Sequence, residues 1–157
     1  LARCGALLLH AAAVERDGIG RVLAGRSGAG KSTLAALCAN EGWNVLNDDR
    51  VVVYPDADGW RVAGTPWHGS GRFASHRSVP LAALYLLQKH TRDASERLPP
   101  ADARLALLEV AAVPWFDDEW SCGALDALAK LCDSVALFRL KFTRTPGAVR
   151  ALETAAA

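Results

Sequence analysis

The sequence predicts an α/β fold, a mixed β-sheet with flanking helices, and three observations carry that expectation. Apolar runs of strand length alternate with segments whose apolar residues recur at helical spacing. A glycine-rich octapeptide, Gly25 to Ser32, stands between one such strand and one such helix. Of the 157 residues, 51% are apolar and 22% charged, enough for one core and too short for two ordinary domains. A single domain over 1–157 is the expectation.

Taken in order, Leu7–Val14 reads as a buried strand, and Arg21–Ala24 as a second after the Asp17-Gly18 turn signal. Lys31–Glu41 puts Leu34, Leu37 and Cys38 on one helical face, with Gly42 as its stop. Val45-Leu46 is a short strand. Val51–Tyr54 and Trp60–Ala63 are the arms of a hairpin around Pro55 to Gly59. Gly64–Ser78 is a polar, glycine-containing loop, and the continuously apolar Leu81–Gln88 is a buried strand. Arg92–Pro100 reads as a charged connection. Helices are expected at Ala101–Val113 and, with Ser121 as N-cap, at Cys122–Asp133. Val135–Phe142 ends in apolar–basic alternation, a strand with one wet face, and Pro146-Gly147 opens a last short helix.

Lys+Arg 18 against Asp+Glu 17 leaves a net charge of +1, so there is no global electrostatic case for nucleic acid. No apolar run reaches the roughly 18 residues of a membrane span. Residues 1–14 resemble a signal peptide in having an arginine and then an apolar stretch, but His10 interrupts it and no convincing cleavage site follows. The preferred reading is a strand, in a chain whose first residue, Leu1, is compatible with a natural start upstream. Cys4, Cys38, Cys122 and Cys132 have neither C-x-x-C nor zinc-type spacing, and Cys38 and Cys132 fall on apolar helix faces. Unpaired thiols without an export signal make the cytoplasm the expected compartment.

Gly25-Arg26-Ser27-Gly28-Ala29-Gly30-Lys31-Ser32 fits the phosphate-binding loop (P-loop) pattern G-x-x-x-x-G-K-[ST]. Its glycines let successive backbone N–H groups turn inward on phosphates, and the helix that follows points its positive end at the same anion. Lys31 is expected to neutralise the β and γ phosphates and Ser32 to ligate Mg²⁺, with Gly25 through Thr33 forming the nucleotide contact. One helix and one strand later come Asp48 and Asp49. A kinase needs an acid at its metal and a group that deprotonates the acceptor hydroxyl, and successive residues at a strand end face opposite ways, so the pair can divide these tasks. An isolated Asp-Asp pair reads equally as a solvated turn; its distance from the loop favours catalysis.

Together, His10, the loop Gly25–Ser32 and Asn47-Asp48-Asp49-Arg50-Val51 resemble the C-terminal catalytic domain of HPr kinase/phosphorylase, with its G-D-S-G-x-G-K-S and A-D-D-x-V segments. The match runs from about Leu8 to Tyr54, roughly a third of the chain. The resemblance implies the fold shared with phosphoenolpyruvate carboxykinase, ATP and Mg²⁺ as cofactors, and phosphate transfer to a serine hydroxyl of a protein or peptide. Carried over residue by residue, Asp48 is the general base, Lys31 and Ser32 hold phosphate and metal, Asp49 adds a metal ligand, and His10 lies beside the phosphates. For His10, simple packing in a strand is the alternative. The family's E-I-R-G-L-G segment and its later phosphorylase loop are not recognisable here. Gly64–Gly69, Ala82–Leu87 and the Leu-rich C-terminal half are similar to short HPr-kinase-like proteins of bacteria, some of which sit in peptide-biosynthesis clusters, including lasso-peptide clusters, and some of which phosphorylate a precursor peptide. The implied partners are ATP and a serine-containing acceptor, HPr or a precursor peptide, with no nucleic acid or membrane and with room for a homo-oligomer.

Arg72 and Arg77, with His68 and His76, are either a cation source for the transferring phosphoryl group or an exposed basic loop. Trp115, Phe116 and Trp120 flank Asp117-Asp118-Glu119, acids better suited to capping a helix or facing solvent than to holding metal; the aromatics mark a partner surface or core. Shikimate- or gluconate-type kinases also carry acids one strand after the loop, but those lead into a helix and not a hairpin. The L-S-G-G-Q of ABC-type ATPases and the N-K-x-D of GTPases are absent. A nucleotide-binding regulatory module without phosphotransfer is the non-enzyme alternative, favoured by the missing E-I-R-G segment.

Overall fold

The computed structural model describes residues 1–154. In chain order the elements are β1 (Leu7–Leu9), β2 (Ala11–Arg16), β3 (Ile19–Ala24), α1 (Lys31–Asn40), β4 (Asn44–Asn47), β5 (Val51–Asp56), β6 (Gly59–Gly64), β7 (Ser78–Lys89), β8 (Ala94–Arg97), α2 (Pro100–Leu108), α3 (Asp118–Ser134), β9 (Ala136–Phe142) and α4 (Gly147–Thr154). The N-terminal apolar run is therefore two strands and not the single strand its composition predicts. The chain bends at His10, whose N–H leaves the ladder and donates to Val110 O at 2.7 Å.

That bend shapes the whole sheet. Its order is β1-β5-β6-β7-β3-β2-β4, so β1 and β2 stand far apart in the sheet although one residue joins them. The mixed sheet must curl to bring them together. The first residues of β7 pair antiparallel with β6, and the rest of β7 runs parallel to β3 and to β9, which pairs in turn with β8. Strands β3, β7 and β9 consequently end at one edge of the sheet, the edge where parallel α/β sheets bind ligands.

Helices cover both faces. Leu107 of α2 and Leu128 and Leu131 of α3 share a core with Val22, Leu84 and Leu137, while Leu34 and Cys38 of α1 and Val149 and Leu152 of α4 pack with Leu23, Tyr85 and Phe142. Each such leucine or phenylalanine contributes about 1.5–3 kcal/mol by leaving water. Tyr85 stacks on Phe138 at 5.4 Å and satisfies its buried hydroxyl by donating to Leu152 O at 2.9 Å. All four cysteines are free; burial pushes the Cys38 thiol up to about 12 and that of Cys132 to about 11, so both are inert hydrophobes. Among the described residues, no helix is long and apolar enough to cross a membrane.

Three further elements differ from the sequence reading. The Arg92–Pro100 connection contains β8, whose charged residues are tolerated because β8 is an edge strand, mostly exposed. The helix expected over Ala101–Val113 ends at Leu108, after which Ala111 bridges to Leu9 and Ala112 donates to Leu8 O, extending the sheet beside β1. Helix α3 starts earlier than Cys122: Asp117 is its N-cap, accepting from Trp120 N at 2.9 Å, and Ser121 lies inside the helix, donating to Pro114 O at 2.8 Å. Asp118 and Glu119 then occupy the first turn, where the helix dipole favours acids.

Arg77 pairs with a buried acid of β2. Its Nη1 lies 3.1 Å from Oε2 of the buried Glu15, which further accepts from Gly18 N and Asn44 Nδ2, both at 2.7 Å. Burial works to raise the Glu15 pKa, but these donors and the Arg77 charge outweigh it and hold the carboxyl below its ordinary 4.5. A depressed folded-state pKa stabilises above the unfolded value and is lost as pH falls through the folded one. The stability gap between the unmodified protein and Glu15→Gln is thus expected to be widest near neutral pH and to close below pH 4.5, as urea melts across that range will read. A gap that does not depend on pH would remove the charge from this interaction.

Candidate functional site

Between β3 and α1 the chain turns through residues 25–30, with Ala29 N donating to Arg26 O at 3.0 Å and Leu34 N making an early helical bond to Gly30 O at 2.9 Å. Gly30 is required twice over. Its φ is 106°, and a Cβ there would come within 2.6 Å of Phe142 Cζ at the end of β9. The helix therefore starts on top of a buried aromatic ring, and the loop cannot rise away from the sheet edge without unpacking it.

Lys31, the first residue of α1, is only 7% exposed and folds back over the loop. Its Nζ donates to Gly25 O at 2.7 Å and Arg26 O at 3.2 Å and lies 3.0 Å from His10 Nε2. Burial lowers its pKa and the charge of Asp49 partly restores it. An ammonium only donates, so His10 Nε2 accepts and the Nδ1–H is left for the Asp49 carboxylate, 3.3 Å away. The bend that breaks the N-terminal strand is what delivers His10 to this position between Lys31 and Asp49.

The two acids face different partners, as their adjacent positions predict. Asp48 is 2% exposed and reaches into the 64–78 loop, where its oxygens accept from Gly69 N at 2.8 Å and Gly71 N at 2.6 Å. A Cβ on Gly71 would meet Asp48 Oδ2 at 2.7 Å, so the loop closes this far only because it lacks a side chain there. Asp49 faces His10 and also pairs with Arg50 Nε at 3.5 Å. The buried Asn47 fixes both: its Oδ1 accepts from the N–H groups of Asp49 and Arg50, and its Nδ2 donates to Thr65 O and Trp67 O. The Ser32 hydroxyl points at Asp48 O, 3.5 Å away.

These groups line one cleft of about 330 Å³, which gathers His10, Lys31, Ser32, Asp48 and Asp49 with Ser27, Gly28, Gly30 and Thr33. Three residues of the loop stand outside its lining. Gly25 and Arg26 contribute carbonyls to Lys31 instead; the Arg26 side chain turns away into a bidentate contact with Glu109, 2.9 Å on both arms; and Ala29 packs against Gly25. Arg72 and Arg77 do not line the cleft. Two cations that the sequence reading missed do: Lys89, the last residue of β7, and Arg144, just past β9. A search for basic residues at or just past the ends of the parallel strands would have found them, once those strands were known to be neighbours.

An apolar groove of about 370 Å³ lies elsewhere, under Phe116 and Trp120. Among the described residues it is lined by one charged side chain, Arg3, which suits it poorly to phosphate chemistry. Trp115 and Phe116 are 65% and 82% exposed, so these aromatics are surface and not core. Among the described residues, no cluster of three or more His, Cys, Asp or Glu could hold a metal by protein ligands alone.

The family model described as SynChlorMet cassette protein ScmC matches residues 1–131. Among solved structures, the Hpr(Ser) kinase/phosphatase from Coxiella burnetii superposes with a TM-score of 0.53 at 13% identity, covering 94% of this chain and 97% of that one. The resemblance to HPr kinase therefore holds at the level of the fold. No curated protein matches the sequence.

Proposed function

We propose that this chain, which belongs to the SynChlorMet cassette protein ScmC family, is an ATP-dependent serine kinase that phosphorylates a small protein or precursor peptide in the cytoplasm. The supporting observation is the convergence of Lys31, Ser32, Asp48 and Asp49 on one cleft beside a glycine-rich turn. In this reading Gly25 through Thr33 embrace the phosphates of ATP with backbone N–H groups, and Lys31 supplies a fixed positive charge at their centre. The acceptor serine Oγ forms a bond to the γ phosphorus while the bond from that phosphorus to the β,γ-bridging oxygen breaks, its electron pair leaving with ADP. The hydroxyl proton passes to Asp48, whose oxygens each keep a lone pair beyond the one taken by Gly69 or Gly71 N–H. His10 acts as a positioning residue, holding Lys31 and Asp49 at their observed separation from its two ring nitrogens.

The donor set fits Mg²⁺. Ser32 Oγ and the Asp49 carboxylate are hard oxygen donors, and two protein ligands are what Mg²⁺ takes in nucleotide sites, where phosphates and waters complete its shell. Bound there, Mg²⁺ would offset phosphate charge. Ser32→Ala is accordingly expected to weaken Mg·ATP binding about tenfold, the scale of one hydrogen bond to a charged group, and metal-free ATP far less. Calorimetry with and without Mg²⁺ reads the difference; equal losses would take Ser32 out of the metal site.

The activity itself is tested by incubating the protein with γ-labelled ATP and Mg²⁺, once with HPr and once with precursor peptides, and locating the label by mass spectrometry. Phosphoserine on one of these acceptors is the expected result. A second reading, a nucleotide-binding regulatory module, draws on the closure of the Gly69–Gly71 backbone over Asp48, which would bar an acceptor if it never opened. ATP binding without transfer to any acceptor would favour it.

A further inference from the structure

We propose that Lys89 and Arg144 form a cationic wall that grips the phosphate chain of the nucleotide, an inference that rests on the nucleotide-binding reading above. Both side chains line the cleft that holds Lys31 and Ser32; Lys89 ends β7, the parallel neighbour of β3, and Arg144 stands just past β9, which runs parallel to β7. Their backbones are fixed to the loop itself. The carbonyl of Leu87, two residues before Lys89, lies 3.7 Å from where a Gly25 Cβ would stand, and the ring of Phe142, two residues before Arg144, fills the space beside Gly30. The two strand ends thus abut the two ends of the glycine-rich turn.

Their charges are also uncommitted. Arg26 is spent on Glu109, Arg50 on Asp49 and Arg77 on Glu15, whereas Lys89 and Arg144 make no ion pair among the described residues. The charge balance of the cleft depends on them. With them the side chains lining the cleft carry three positive charges against the two of Asp48 and Asp49; without them the lining keeps Lys31 alone, Arg50 serves only to balance Asp49 from outside it, and a triphosphate would meet no net positive charge. Arg144 brings a planar fork that matches a phosphate edge, and Lys89 a compact point charge.

The topology favours phosphate over an acidic acceptor as their ligand. β7 and β9 lie on one side of β3, and β4, which leads to the acids, lies on the other side beyond β2. The acceptor hydroxyl must reach Asp48 on the acidic side, so the basic side is left for the nucleotide. This wall also takes the part that the sequence reading offered to Arg72 and Arg77.

The test is calorimetric titration of Mg·ATP into the unmodified protein, Lys89→Ala, Arg144→Ala, the double variant, and the conservative Lys89→Arg and Arg144→Lys, at low and at physiological ionic strength. Each alanine variant is expected to weaken binding about three- to tenfold and to flatten its salt dependence, the double variant to do both more strongly, and the conservative variants to retain most of the affinity. Both side chains are exposed, so ligand-free melting temperatures should match. No Mg·ATP binding by the unmodified protein would overturn the nucleotide reading and this inference with it. Binding by the unmodified protein with equal affinity and salt dependence in the double variant would overturn this inference alone. The same would follow if the double variant kept Mg·ATP affinity but lost binding of a hexaglutamate peptide, which would assign the pair to an acidic partner.

Discussion

Asp48→Asn is expected to slow single-turnover phosphoryl transfer to a serine acceptor by about 10²- to 10⁴-fold, the usual worth of general-base assistance, while Mg·ATP affinity stays near that of the unmodified protein. The substitution removes the proton acceptor and nearly conserves shape. It is not silent in the loop, however. Both Asp48 oxygens accept backbone N–H groups, from Gly69 and Gly71, and an asparagine can accept only one of them. The other donor is left facing an amide N–H₂, at a cost of about 1–3 kcal/mol in stability, so the variant should also melt earlier. Asp49→Asn should separate from it by losing Mg·ATP affinity together with rate, because its proposed partner is the metal. Transfer at the unmodified rate in Asp48→Asn would remove Asp48 from the chemistry.

Lys31→Ala is expected to abolish the stabilisation of the fold by ATP. A ligand that binds only the native state stabilises it by about 2.7 kcal/mol at a hundredfold excess over its dissociation constant, and that increment should vanish. The ligand-free protein will itself lose stability, since the buried ammonium satisfies Gly25 O and Arg26 O. The diagnostic quantity is therefore the shift between melts with and without Mg·ATP, not either melting temperature alone. An unchanged ATP-induced shift in Lys31→Ala would count against the glycine-rich turn as the nucleotide site.

What could be read from the sequence was whatever a local pattern encodes. The strand–turn–helix around Gly25–Ser32, the hairpin of β5 and β6 and the adjacent acids after β4 depend on spacing within a few residues, and each stands where the spacing puts it. What could not be read depends on register between distant segments. The bend at His10 follows from a hydrogen bond to Val110, a hundred positions away in the chain, so composition alone shows one apolar run. Strand β8 owes its existence to pairing with β9 and not to apolar residues of its own. Asp117 outcompetes Ser121 as the N-cap because α3 gains a turn by starting there, which brings its first-turn acids under the helix dipole. Asn47 ends β4, and its tie from that strand to the loop that closes over Asp48 is a contact between segments 18 to 20 residues apart that no local pattern encodes. Lys89 and Arg144 are ordinary surface cations until β7 and β9 are known to run parallel beside each other.

The most direct test of the proposed nucleotide site is a Mg·ATP titration followed through backbone amide resonances. Saturable shifts should concentrate on Gly28, Gly30, Lys31 and Ser32, extend to Asp49, and reach Gly69 and Gly71 as the loop over Asp48 responds. Shifts centred instead on the groove under Phe116 and Trp120, or no saturable shift at all, would contradict the assignment of this cleft as a kinase site.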